Sequence, residues 1–291
     1  MEQRPAERSD LPEITALLAR ACVFSRAPLV AEEKLFGPSP TGPSQAQVAL
    51  DRGRIIGVAA VAQKWIRLLA VNPEHRGHGV GSALLSWAEA HGAYRTLDQP
   101  GNYLGPGIDV RDENSIQWLL RRGYRERMRN TNLIVELVKN PAASPSAAQN
   151  SAQSLQARGL RLGQGRPSEA ALKAIEDQFS AAWRFEAERA GENDTLFWAE
   201  DASRRLLGFA AHDGNNRGLG WFGPAGTWPE ARGQGIGAAL LIQCLASIRA
   251  AGHEQCEVAW IGPEEFYRRV CGVHDRREFA VLSKDLLNTQ P

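Results

Sequence analysis

Hydrophobic and polar positions along this chain switch repeatedly between a period of two and a period near 3.6, and the switch points predict its elements. A short strand opens the chain. Leu11, Ile14, Leu17, Leu18 and Ala21 then recur at helical spacing behind Asp10-Leu11-Pro12-Glu13, a capping-box-like start with proline near the first helical position. Residues 24–44 carry several prolines and read as loop. Strands are expected at 47–50 and 55–62, joined by a turn at Asp51-Arg52-Gly53, with a third apolar strand at 65–71. Pro73 marks a turn, and a helix at 80–91 stops at Gly92. A strand at 94–97, a Gly/Pro-rich loop, a helix at 115–122 and a strand at 133–138 follow.

The pattern breaks at 140–154, NPAASPSAAQNSAQS, which lacks charge and shows no apolar period. It reads as a flexible linker, a surface helix of low hydrophobicity being the alternative for its second half. The expected division is therefore a domain at 1–139, a linker at 140–158 and a domain at 159–291. After the break the order repeats: a strand at 160–162, a helix at 167–185, strands at 195–199 and 206–211, and a strand at 221–227 running into a proline turn. A helix at 236–251, a strand at 258–261, a short helix at 263–270 and a last strand at 278–284 complete it. Strands that are mostly sequential and antiparallel, with few helices, give an α+β class.

Composition adds bounds to this picture. A length of 291 residues suits two domains, and 43% hydrophobic with 23% charged residues can fill two cores. Lys+Arg number 34 against 33 Asp+Glu, so no long-range field favours nucleic acid or an anionic membrane. Cys22, Cys244, Cys256 and Cys271 form no CxxC pair, which argues against a disulfide framework or a zinc site. The start MEQRPAERSD is charged where a signal peptide needs an apolar run, and no stretch reaches the length of a membrane span. A cytoplasmic protein with reduced thiols is expected.

The repeat is exact enough to align without gaps. Residues 71–85 read VNPEHRGHGVGSALL and residues 227–241 read TWPEARGQGIGAALL; at the fixed offset 227 − 71 = 156, nine of fifteen positions are identical. In each copy three glycines (Gly77, Gly79, Gly81; Gly233, Gly235, Gly237) lie between a strand end and the first turn of an apolar helix. Backbone N–H groups there can approach an anion, and the helix N-terminus adds partial positive charge, a combination that binds phosphate. A glycine turn without a ligand is the alternative for one copy; two copies weaken it. No Lys-Ser/Thr pair follows either loop, as a triphosphate-binding loop requires, and the loops follow several sequential strands rather than opening a βαβ unit. His75 and His78 lack further ligands, so no metal site is expected.

Arg76-x-x-Gly79-x-Gly81 and Arg232-x-x-Gly235-x-Gly237 resemble the Gln/Arg-x-x-Gly-x-Gly/Ala motif of the GNAT superfamily of N-acetyltransferases. The preceding LLAVNP and following SALL, with GTWP and AALL in the second copy, extend the match to both halves. The resemblance implies tandem domains, each a mixed, largely antiparallel twisted sheet flanked by helices. It implies acetyl-CoA as cofactor, with the pyrophosphate held by Arg76, Gly77, His78, Gly79, Val80, Gly81 and Ser82 in the first half. The counterparts are Arg232, Gly233, Gln234, Gly235, Ile236, Gly237 and Ala238. It also implies a strand that splays from its neighbour to admit pantetheine: Leu69, Ala70 and Val71, then Gly226 and Thr227. Gly223, Pro224 and Gly226 inside that strand mark a bulge or a close ligand approach.

In this superfamily a neutral amine attacks the thioester, and a Tyr on the short helix after the motif commonly protonates the departing thiolate. Tyr267, in GPEEFYRRVCG, holds that place, one residue further from Gly272 than usual; a tyrosine packed on the core is the alternative. In DENSIQWLLRRGY the place falls on Leu119, with Trp118 before it, and leucine cannot donate a proton. Tyr103 and Tyr124 are weak substitutes, and Glu257, Glu254 and His253 are candidate bases more in keeping with solvated surface groups. The expected activity is transfer of an acetyl group to a small-molecule amine or peptide acceptor by the second half. A coenzyme A-binding regulatory protein is the alternative.

Overall fold

The computed structural model describes residues 1–96 and 100–285. In chain order its elements are β1 (Glu2–Pro5), α1 (Leu11–Ala21), α2 (Ala31–Phe36), β2 (Gln45–Asp51), β3 (Arg54–Ala62), β4 (Trp65–Val71), α3 (Val80–Ala90), β5 (Ile108–Asp109), α4 (Glu113–Leu120) and β6 (Arg125–Glu136). Then come α5 (Pro145–Gln156), β7 (Arg161–Gln164), α6 (Glu169–Gln178), α7 (Ala181–Gly191), β8 (Leu196–Glu200), β9 (Leu206–His212), β10 (Trp221–Thr227), α8 (Ile236–Ala250), β11 (Gln255–Val258), α9 (Glu264–Cys271) and β12 (Asp275–Ser283). No helix among the described residues is long and apolar enough to cross a membrane.

The first unit comprises Met1–Asn130 and Glu278–Pro291. Its strands β1, β2, β3 and β4 pair antiparallel in sequence order. Strand β3 is buried along its length after Arg54 because both faces are covered. Val58 and Ala60 join Ile14, Leu17 and Leu18 of α1, whereas Ile56 and Ala59 join Val80 and Leu84 of α3. Beyond β4, Arg95 bridges Trp65 in parallel and Ser283 antiparallel, and β12 pairs with β5 through Phe279↔Asp109 and Ala280↔Ile108.

The second unit is Thr131–Arg277. Here β7, β8, β9 and β10 pair antiparallel in sequence order, β10 pairs parallel with β11, and β11 pairs antiparallel with residues 133–136 of β6. Helix α8 fills one face: Ile236, Leu240, Leu241, Cys244, Leu245 and Ile248 all lie in the main core cluster. On the other face, α6 and α7 supply Leu172, Ile175, Ala187 and Ala190.

Several expectations need correction. The break expected at 140–158 is ordered structure of the second unit: a short 3-10 turn at Pro141–Ala143, then α5, whose N-terminus is capped by Ser144 accepting from Ala147 N–H. Gln243 on α8 donates to Ala148 O (2.6 Å) and Ser151 Oγ (2.9 Å), so hydrogen bonds hold a helix whose sequence shows almost no apolar stripe. The boundaries move as well. Residues 133–136 hydrogen-bond with β11, and Phe279, Ala280 and Leu282 pair with first-unit partners, so each unit takes its last strand from the opposite side of the sequence division.

The stretch read as loop at 24–44 contains α2, where Ala31 and Leu35 reach the core. The helix expected at 167–185 is two helices. Ser180 interrupts it, extended at φ −173° and accepting from Trp183 N–H to start α7. Strand β11 begins three residues earlier than expected, at Gln255. In place of a strand at 94–97, Arg95 forms two isolated bridges, to Trp65 and to Ser283; Leu97 lies outside the described residues.

Candidate active site

Each motif strand carries a bulge at the same place. In β4, Val61 pairs with Ile66 but Ala60 with Leu68, which leaves Arg67 extra. In β10, His212 pairs with Phe222 but Ala210 with Ala225, so Gly223 and Pro224 oppose one residue. The offset 223 − 67 = 156 is that of the sequence repeat. A bulge changes which amides face which neighbour. Trp228 N–H bonds to Leu207 O and Asn72 N–H to Ile56 O, so both face inward. By alternation, the N–H groups of Ala225 and Thr227, and of Leu69 and Val71, face the opposite edge.

That edge is open. β10 pairs with β11 only at Trp221↔Glu257 and Phe222↔Val258, closed by Ala259 N–H to Phe222 O at 3.1 Å. Past Phe222 the two strands part: Trp260 N–H turns to Asn132 Oδ1 and Ile261 N–H to Thr131 O. In the first unit, Ile66 N–H to Arg95 O is the corresponding closing contact. Leu69, Ala70 and Val71 thus pair with β3 on one side and border a wedge on the other, as do Gly226 and Thr227 with β9.

At the wide end of each wedge a helix starts on a left-handed glycine, Gly79 (φ 84°) before α3 and Gly235 (φ 75°) before α8. Neither start has a side-chain cap or an acidic residue in its first turn. By contrast α4, α5, α6 and α7 are capped by Asp112, Ser144, Ser168 and Ser180. First-turn amides without an internal acceptor form a cradle for an anion. The third motif glycine does other work. A Cβ on Gly81 would lie 3.2 Å from Trp118, and one on Gly237 3.2 Å from Thr227 Oγ1 and 3.7 Å from Phe266. These glycines let α4 and α9 approach, and the pairing of Trp118 with Phe266 makes Leu119 the counterpart of Tyr267.

One further pair escaped the motif reading. Gly57 and Gly208 lie on β3 and β9 beneath the two helix starts. A Cβ on Gly57 would meet Leu84 and Val80 at 2.9 Å; on Gly208 it would meet Ile236 at 2.9 Å and Leu240 at 3.2 Å. The signal was present as IIGVAA against LLGFAA, at offset 208 − 57 = 151 rather than 156, because the loop between β9 and β10 is longer than the β3–β4 turn.

The loop side chains are exposed and lightly tied. Arg76 donates to Ala21 O (3.3 Å), Arg232 to Thr227 O (3.3 Å), Gln234 to Glu230 O (3.2 Å), and His78 Nδ1 lies 2.9 Å from Arg76 O. Ser82 is occupied: its hydroxyl accepts from Arg122, whose guanidinium lies 3.9 Å over the Trp118 ring. Val80 and Ile236 point into the core, and Ala238 is half-buried. Gly226 serves packing too, since a Cβ there would lie 2.4 Å from the Phe179 ring. That ring stacks on Trp183 and meets Phe209 and Trp228 edge-on.

Tyr267 sits on α9 beside the apex of the second wedge, edge-on to Phe222 at 6.3 Å and to Phe266 at 5.1 Å. Burial raises its hydroxyl to about 12, and among the described residues that hydroxyl has no hydrogen-bond partner. Leu119 lies in a core cluster, 6% exposed. Tyr124 offers no substitute: it is buried, its hydroxyl donates to Glu89 (3.1 Å), and Lys284 holds the same carboxylate (3.0 and 3.2 Å). Glu257 is no solvated group either. It is buried on β11, accepting from Asn132 (2.7 Å) and from Arg277 Nη1 at both oxygens (2.9 and 2.8 Å). All four cysteines are free thiols; burial raises Cys22 to about 11, Cys271 to about 12, and Cys244 and Cys256 well above the ordinary value. No metal-ligating cluster occurs among the described residues.

A bulged strand, an open edge and an uncapped helix start, present twice, define a two-unit α+β protein with a duplicated strand-to-helix site. Comparison places this class. Residues 43–126 match the family described as Acetyltransferase (GNAT) domain. No curated protein matches the chain. Among solved structures it is similar to a GCN5-related glucosamine N-acetyltransferase region of a fungal multi-domain β-N-acetylglucosaminidase: 20% identity, TM-score 0.73, covering 97% of this chain and 38% of that one. It is also similar to a GCN5-related N-acetyltransferase from Sphaerobacter thermophilus (19% identity, TM-score 0.67, 98% and 95% covered). A third is a tandem GNAT protein from the clavulanic acid biosynthesis pathway (15% identity, TM-score 0.66, 98% of each chain). The 43–126 segment thus matches the GNAT acetyltransferase domain, and the chain as a whole has the fold of tandem GNAT proteins.

Proposed function

We propose that the chain is an acetyl-CoA-dependent N-acetyltransferase whose second unit is the catalytic one. The observation that carries this reading is Tyr267, a protonated hydroxyl without a protein partner on a ring that meets Phe222 beside the apex of the second wedge, against Leu119 in the first. The residues fit the cofactor: amides at the α8 start suit its pyrophosphate, and the open β10 edge suits its pantetheine amides. Held there, acetyl-CoA would supply an activated thioester, on which a C–N bond to the acceptor amine would form as the C–S bond broke. The chain's own residues do the rest. The N–H groups of Ala225 and Thr227 are placed to stabilise charge on the carbonyl oxygen. Tyr267 delivers its proton to the departing sulfur and regains one from the ammonium through water. Glu257, locked by Arg277 and Asn132, orders the β11 side of the wedge. The acceptor is a small-molecule amine or a peptide.

The first unit has the same helix start and edge but presents core leucine where the acid belongs, which supports a binding or regulatory role for it. Calorimetry with acetyl-CoA, paired with thiol release on a panel of amines, tests the reading. Two binding sites with turnover dependent on the second are expected; tight binding with no turnover on any amine would replace the enzyme with a coenzyme A sensor.

A further inference from the structure

We infer that Arg158 is a phosphate contact of the second cradle, supplied by the segment between the two sequence repeats rather than by the motif itself. This rests on the second unit binding coenzyme A, and it adds a residue that neither the motif nor the strand geometry assigns.

Arg158 follows α5, where the helix ends at a left-handed Gly159 before β7 begins. Its position is fixed from both sides. Leu155, three residues earlier, is 2% exposed in the main core, and Leu160 N–H returns to Leu155 O at 3.1 Å. The bonds from Gln243 to Ala148 and Ser151 lash α5 to α8, the helix that the cradle opens. From this platform the guanidinium reaches the glycine loop: Nη1 donates to Gln234 O and Nη2 to Gln234 Oε1 (3.2 Å). A Cβ on Gly235, the left-handed residue at the helix start, would lie 4.0 Å from Nη1.

An exposed arginine therefore stands one residue from amides that lack a side-chain cap, with no first-turn carboxylate to neutralise it. A planar fork is suited to phosphate, and an Arg⁺ beside a helix N-terminus is electrostatically unfavourable unless an anion sits between them. The first unit reaches a comparable arrangement with a different residue, Arg122 just after α4 on Ser82, so this contact is not part of the duplicated motif. Coenzyme A carries a pyrophosphate and a 3′-phosphate, and the fork suits either.

The test is calorimetry of the full chain with coenzyme A and with 3′-dephospho-coenzyme A at two salt concentrations, comparing Arg158→Gln and Arg158→Lys. Glutamine keeps a donor for Gln234 O and loses the charge. We expect Arg158→Gln to weaken the second-unit site about ten- to a hundredfold, with a shallower salt dependence, and Arg158→Lys to lose less. Weakening of both ligands assigns the contact to the pyrophosphate. Weakening of coenzyme A alone assigns it to the 3′-phosphate. Unchanged affinity in Arg158→Gln overturns the inference. So does an equal loss in both variants with an unaltered salt slope, which is the signature of loop support. Failure of the unaltered chain to bind coenzyme A at the second unit would remove the cradle itself.

Discussion

Replacing Tyr267 and Tyr124 with phenylalanine separates chemistry from packing, because the two hydroxyls differ in what they touch. The Tyr267 hydroxyl has no partner among the described residues, so its removal should change stability by no more than about 0.5 kcal/mol. Its loss as a proton donor should lower turnover about 10²- to 10⁴-fold, or about 3–5 kcal/mol in the barrier. Tyr124 is the converse. Its hydroxyl is buried against the Glu89 carboxylate, and a hydrogen bond to a charged group is worth about 1.5–3 kcal/mol. Tyr124→Phe should therefore lower Tm by several degrees and leave thiol release unchanged at temperatures well below unfolding. The assay is initial-rate thiol release from acetyl-CoA with a responsive amine, alongside scanning calorimetry of each variant. Because burial holds the Tyr267 hydroxyl protonated up to about 12, the unaltered chain should show no alkaline fall in rate from this group below pH 11. Full turnover by Tyr267→Phe would refute the acid assignment, as would a falling limb near pH 10 that this variant abolishes.

Gly235→Ala places a Cβ at φ 75°, at a cost of about 1–2 kcal/mol, and should weaken acetyl-CoA binding and turnover together; Gly79→Ala should remove one calorimetric site and spare turnover. Gly208→Ala pushes a Cβ against Ile236 at 2.9 Å and should cost about 1–3 kcal/mol in denaturant unfolding while displacing the α8 start, so coenzyme A affinity falls without any change at the loop itself; unaltered affinity would contradict the packing role. Cys22, Cys271 and Tyr267 are all raised in the folded chain, so the unfolded chain releases their protons first. Their contribution to stability should be complete below about pH 9 and decline as pH rises through 11–12, read as a falling Tm in an alkaline series.

The motif strands and helices were legible because their signals are local and doubled: Trp65–Val71 falls where the apolar run ends, and both helices start at the second motif glycine. Tyr267 was singled out only by family spacing; in space Phe266 stands on Gly237 as Trp118 stands on Gly81, which sets Tyr267 opposite Leu119 in the repeat. What escaped, or stood only as an alternative as helix α5 did, had non-local causes. Helix α5 is held by Gln243 and one buried leucine, too few apolar positions to give a period. The charged run at the start of β6, Arg125 to Arg129, hides a strand whose first half is exposed. Glu257 looked solvated because its partners, Asn132 and Arg277, are distant in sequence. The loop glycines looked alike in sequence and prove to have two roles, conformation at Gly79 and Gly235, close approach at Gly81 and Gly237.

The placement of Glu278–Pro291 with the first unit bears on how the chain is made. The second unit, Thr131–Arg277, is contiguous and can close as soon as its final residue has left the ribosome. The first unit has most of its sheet from the earliest stages of synthesis, but β5 acquires its β12 partner only once Phe279 and Ala280 exist. The half synthesised first is thus completed last, and the β5 edge of Ile108 and Asp109 must wait unpaired throughout the synthesis of the half that follows.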